Sequence, residues 1–254
     1  NGFVEPEGGL TLAVPNKSTG TNSITLSVTN TGLAGEYTGT DTPTTTWSIT
    51  ADQNSTGATI SGNTLSITNE GKAGEITVKA STVAGGETVT DTAKVKITKA
   101  TSVVESVAVS GTTTSLEVPV GDKTAETTFS ATVEDQYGSG SAEGVTWSIS
   151  PADKGVTVAN GKVTVTSGAA EYVTDTTGKE FTVTATCGGK SGEATLTVKR
   201  AASEATTVTV TGADSIEVPA SNTTPATATY QFAVADQYGS AMKGQTAAWS
   251  VSTN

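Results

Sequence analysis

The sequence predicts an all-β chain of tandem two-sheet sandwiches, and three observations carry that expectation. A Trp-Ser-Ile/Val triplet recurs at Trp47, Trp147 and Trp249, spaced 100 and 102 residues apart. Between these anchors apolar and hydroxylated residues alternate with a period of two, the signature of a strand with one wet face. Composition agrees: 53 of the 254 residues are Thr and 28 are Gly, residues that suit strands and turns better than helices.

Internal repetition sets the register for everything else. Ahead of each Trp lies an apolar-X-Val-Pro anchor: Leu12-Ala13-Val14-Pro15, Leu116-Glu117-Val118-Pro119 and Ile216-Glu217-Val218-Pro219. It reads as a break in a first edge strand, where the missing N–H of Pro does least damage. Asp135-Gln136-Tyr137-Gly138 and Asp236-Gln237-Tyr238-Gly239 form a third anchor. In the second repeat the strands follow in order. Phe129, Ala131 and Val133 point inward, then Val145, Trp147 and Ile149. Val163 and Val165, Phe181 and Val183, and Leu196 and Val198 follow in the same phase. Ala159-Asn160-Gly161-Lys162 and Cys187-Gly188-Gly189-Lys190 have the composition of hairpin turns. About seven short strands with a lone Trp on the third major one describe an immunoglobulin-like sandwich. Trp47, Trp147 and Trp249 are then structural core residues, one per repeat.

Repeat boundaries follow: 1–99, 103–200, and 206–254 as the N-terminal half of a third sandwich. The linkers Ala100-Thr101-Ser102 and 201–205 are short and free of Pro, so the repeats are expected end to end. Half a sandwich leaves an apolar face and strand edges uncovered, so the natural protein is expected to continue past Asn254.

Composition also narrows the chemistry. There is no His, hence no imidazole base or metal ligand and no Ser–His or Cys–His pair. A single Cys excludes an intrachain disulfide, and Cys187 reads as an incidental thiol in a hairpin turn. The net charge of −11 and a pI near 4.4 disfavour nucleic acid and anionic membranes as partners. No apolar run approaches the roughly 20 residues of a membrane span. Paired carboxylates for glycosidic cleavage need a walled cleft, and no long insertion supplies one, so no catalytic residue is assigned. The candidate cation ligands are Asp135 and Asp236, helped by Glu134, since Ca²⁺ takes oxygen ligands. The plainer account has Asp capping a turn, Gly at positive φ and Tyr on the sheet edge. Exposed aromatics would serve a glycan-binding role. Tyr37, Tyr137, Tyr172 and Tyr238 are the candidates, because Phe129, Phe181, Tyr230 and Phe232 fall on inward phases.

Val133-Glu134-Asp135-Gln136-Tyr137-Gly138 leading into Val145-Thr146-Trp147-Ser148 resembles the bacterial Ig-like (Big) domains of surface proteins. So does Gly74-Glu75-Ile76-Thr77-Val78-Lys79-Ala80 with its closing strands. The first repeat departs from the pattern, with Val28-Thr29-Asn30-Thr31-Gly32 where the Asp-Gln-Tyr-Gly turn would stand. The resemblance implies an extracellular location at a bacterial surface. It implies a stalk, spacer, surface-layer or filament subunit whose partners are neighbouring repeats, including self-assembly. Adhesin modules that bind a glycan or host receptor, and decorations of phage virions, are the other roles it allows. No cofactor is implied beyond the Ca²⁺ considered above.

Overall fold

A computed structural model of the chain describes residues 9–28, 44–84, 86–140, 144–221 and 225–252. Contacts divide the chain into two compact units: 1–107 with 132–143 and 188–190, and 108–131 with 144–187 and 191–254.

The first unit holds β1 (Leu10–Ala13), β2 (Thr21–Thr25), β3 (Thr44–Asp52), β4 (Thr59–Ser61), β5 (Thr64–Thr68), β6 (Gly74–Ala84) and β7 (Glu87–Thr98). One sheet runs β1-β7-β6-β3 and the other β2-β5-β4. Within β7 the alternation works as expected. Ala93, Val95 and Ile97 are buried while Lys94 and Lys96 face solvent. Ile76 and Val78 of β6 join these buried residues from the same sheet, Leu65 and Ile67 of β5 close the core from the facing one, and Trp47 and Ile49 pack against it half-buried.

The second unit holds β8 (Val104–Gly111), β9 (Ser115–Glu117), β10 (Thr124–Asp135), β11 (Thr146–Ser150), β12 (Val156–Ala159), β13 (Lys162–Thr166), β14 (Lys179–Cys187) and β15 (Lys190–Lys199). Its sheets run β12-β13-β10-β8 and β11-β14-β15-β9; by their contacts 104–107 and 132–135 belong to the first unit. The inward phases read from sequence are confirmed: Phe129, Val163, Val165, Phe181, Val183, Leu196 and Val198 are buried together. Asn160 and Gly161 both take positive φ, 50° and 78°, which turns β12 into β13 as a tight hairpin. Gly161 has no alternative, because a Cβ there would run into the carbonyl oxygen of Phe129. The chain is thus all-β, a pair of tandem β-sandwiches of immunoglobulin type.

Four sequence expectations change. The first strand breaks ahead of the Val-Pro anchor, at 112–114, where Thr112 N–H still bonds Thr128 and the carbonyl of Thr114 already accepts from Thr197. That is where the chain passes from one sheet (β8) to the other (β9). Val118 N–H donates to Lys199 O at 2.8 Å, as Val14 N–H does to Thr98 O, so each Pro ends its strand just after the last ladder bond. Cys187 is the last residue of β14 and is buried, and the turn proper is Gly188-Gly189.

Trp249 is the largest correction. It is 55% exposed, whereas Trp47 and Trp147 are half-buried against their cores. Within the second unit, β16 (Ala205–Thr211) and β17 (Gln231–Asp236) form a two-stranded ribbon. Trp249 lies near Tyr230 and Phe232, with ring centroids 6.5 and 6.1 Å away. No second sheet covers that face among the described residues, so Val208, Val210 and Tyr230 are exposed too. Tyr230 therefore does not occupy the inward position expected of it.

Candidate functional site

The most elaborated polar construction among the described residues is the Asp-Gln-Tyr-Gly turn, built once in each compact unit. In the first unit Asp135 starts it. Its Oδ1 accepts the amides of Tyr137 and Ser139, both at 2.9 Å, and its own N–H donates to Ser139 O at 2.8 Å. Gly138 completes the bend with φ 83°, where an L side chain is strained. In the second unit Asp236 Oδ1 accepts from Tyr238 and Ser240 at 2.9 and 2.8 Å, and Gly239 takes φ 78°. An aspartate that bonds backbone two and four residues on is a turn-forming residue.

Gln136 is buried and behaves as an extra peptide group. Its Nε2 donates to Thr101 O at 2.8 Å, and its Oε1 accepts Val103 N–H at 2.7 Å. Gln237 does the same to the second linker, bonding Ala202 O and Glu204 N–H, each at 2.7 Å. Each linker backbone, itself exposed, is thereby paired as a strand would be and held to the turn.

Tyr137 is only 5% exposed and belongs to the first unit's hydrophobic core, where a surface position was expected. Alternation along β10 stops at the turn, so the strand's phase cannot report where this ring goes. Its hydroxyl accepts Ala100 N–H at 3.0 Å and donates to Ala100 O at 3.3 Å, and its carbonyl accepts Asn69 Nδ2 at 2.9 Å. The Lys99 ammonium stands 4.3 Å from the ring centroid while donating to Gly71 O at 3.0 Å. Tyr238 repeats the scheme: its hydroxyl accepts Ala201 N–H at 3.0 Å and donates to Val118 O at 3.1 Å. Arg200 replaces Lys99, with its guanidinium 4.8 Å from the ring and bonded to Ser240 Oγ and Ala170 O. Cation, ring and carbonyl thus stack in the same order twice. Tyr172 is exposed, and Tyr37 lies outside the described residues.

The carboxylates serve this turn and are not gathered for a cation. Glu134 pairs with Lys17 at 2.9 Å instead of joining Asp135. Asp236 Oδ2 accepts Ser203 Oγ at 3.0 Å, with Arg200 4.0 Å away. No cluster of three potential ligands occurs among the described residues. Burial pushes the Asp135 carboxyl up, but the Ser102 hydroxyl, the Ser139 and Tyr137 amides and the Lys99 charge together hold it below its ordinary value. Asp236 is likewise pushed up by burial and held lower by the Ser240 amide, the Ser203 hydroxyl, the Tyr238 amide and Arg200.

No family model matches the chain, and no curated protein sequence does. Solved structures show similarity. A mouse cadherin-23 EC22-24 structure is 20% identical with a TM-score of 0.40, over 62% of this chain and 53% of that one. Human protocadherin-24 EC1-2 is 11% identical with a TM-score of 0.36, over 75% and 93%. The N-terminal four Ig domains of Dscam1 isoform 6.9 are 13% identical with a TM-score of 0.34, over 78% and 45%. This chain spans about half the length of the cadherin-23 and Dscam1 chains it resembles. Its structural neighbours are immunoglobulin-like and cadherin-type β-sandwich domains.

Proposed function

We propose that the chain is a structural repeat segment of a secreted bacterial surface protein, of the bacterial Ig-like (Big) kind, with repeats over 1–99, 103–200 and 206–254. It acts as a spacer or as a subunit that assembles with its neighbours, and it carries no catalysis. The observation that supports this is the twofold use of one joint. Both linkers have their backbone amides and carbonyls bonded by a buried or half-buried Gln side chain and capped by a Tyr hydroxyl. A chain that builds the same set of polar contacts at both linkers is organised around connection. Thr on the outward phases and a net charge of −11 keep such a segment solvated in an extracellular setting. No helix among the described residues is long and apolar enough to cross a membrane.

A second reading, a glycan-binding module, draws on the exposed aromatics Trp249 and Tyr230, since such rings stack on sugars. A glycan array probed with the labelled chain separates the two. The spacer reading expects no saturable signal. Saturable binding that disappears in Trp249→Ala would replace it with the adhesin reading.

A further inference from the structure

We infer that the Asp-Gln-Tyr-Gly turn is a plug that each repeat supplies to the repeat before it, so that a repeat's core is finished by residues from the next repeat's sequence. This inference rests on the reading of the chain as tandem structural repeats and adds the surface by which consecutive repeats recognise each other.

Three observations carry it. Tyr137, by sequence a second-repeat residue, is buried among Leu12, Val14, Ile97 and their neighbours in the first unit's core. The socket around it comes from first-repeat residues and the linker: Lys17 N–H donates to Gln136 O at 2.8 Å, Asn69 Nδ2 to Tyr137 O, and Lys99 and Ala100 bracket the ring. The second copy is equivalent position by position. Lys99, Ala100, Asp135, Gln136, Tyr137 and Ser139 correspond to Arg200, Ala201, Asp236, Gln237, Tyr238 and Ser240, each displaced by 101 residues. Tyr238 packs against the core that contains Val118 and Phe181 and bonds the Val118 carbonyl directly.

The third observation concerns autonomy. Among the described residues, what stands behind Tyr238 is the two-stranded β16–β17 ribbon, with Val208, Val210 and Trp249 exposed, yet the turn seats with the same bonds at nearly the same lengths. Seating therefore depends on the turn and linker and not on a finished sandwich behind them. In the first repeat the segment that would hold such a turn, 29–43, lies outside the described residues.

Amide hydrogen exchange read by mass spectrometry on the full chain tests this, because it resolves the units. In Tyr137→Ala, exchange in β1 and β7 is expected to rise roughly tenfold or more, with β13 and β14 unchanged. In Tyr238→Ala the pattern is expected to invert, with β14 and β15 loosened and β1 and β7 unchanged. Tyr137→Phe, which keeps the ring and removes only the hydroxyl, is expected to show a smaller rise confined to the first unit, and serves if the Ala variant does not fold. The inference is overturned if the Tyr137 variants loosen mainly β10 and β11 of their own repeat, loosen both units equally, or change nothing. None of these outcomes bears on glycan binding, so failure of the plug and failure of the spacer reading are told apart.

Discussion

At the scale of single residues, burial decides how much each aromatic contributes. Phe129 and Phe181 are almost wholly enclosed, whereas Trp147 is half-buried, lying over the Gly161 hairpin with the nearest ring carbon 3.1 Å from where a Cβ would sit. We expect Trp147→Ala to cost about 2–3 kcal/mol, against about 3–5 for Phe129→Ala. Chemical denaturation of the two variants checks the order; an equal or larger loss for Trp147→Ala would mean the indole is the true centre of the core. The position of Trp147 on an inward phase was legible, because alternation along a strand reports which face a residue is on. The degree of its burial was not, since that depends on whether the facing strands extend over it. Trp249 makes the same point more sharply: its phase matches Trp147, but no facing sheet covers it among the described residues.

Among elements, strands and hairpins were readable and the turn's destination was not. Val163 with Val165, Phe181 with Val183 and Leu196 with Val198 alternate with Thr, so local chemistry alone places them in strands. Tyr137 sits where that periodicity ends, and the core it is buried in is built from residues distant in sequence, Leu12 among them. One signal did exist, the reuse of Gln-Tyr after Asp at both copies, which a turn alone does not need. The joint also protects two basic residues at which trypsin cuts. Lys99 is held by Gly71 O and the Tyr137 ring, and Arg200 by Ser240, Ala170 and the Tyr238 ring. Brief trypsin treatment of the native chain is expected to spare the Lys99–Ala100 and Arg200–Ala201 bonds. Early fragments ending at either residue would show that the linkers open freely. Lys99 in the place of Arg200 further shows that the stack asks for a cation and a donor, and does not require a guanidinium.

For the molecule as a whole, acid stability should be governed by the carboxylates that serve as turn acceptors, Asp135 in the first unit and Asp175 and Asp236 in the second. All three titrate below their ordinary value in the fold. A depressed folded value means the stabilisation is fully present above the unfolded value, about 4, and is lost as pH falls through the lower folded one. Unfolding midpoints are thus expected to hold from neutrality to about pH 5 and to decline below about pH 4. Asp135→Asn, whose amide oxygen can still accept both backbone N–H groups, should show a shallower acid limb in the first unit. An identical limb in that variant would place the acid sensitivity elsewhere. The division of plug and socket between successive repeats has one more consequence, for how such a gene changes length. A repeat copied whole by unequal recombination arrives with a turn that suits the socket upstream and a socket that suits the turn downstream. Copies can then be gained or lost without any compensating substitution.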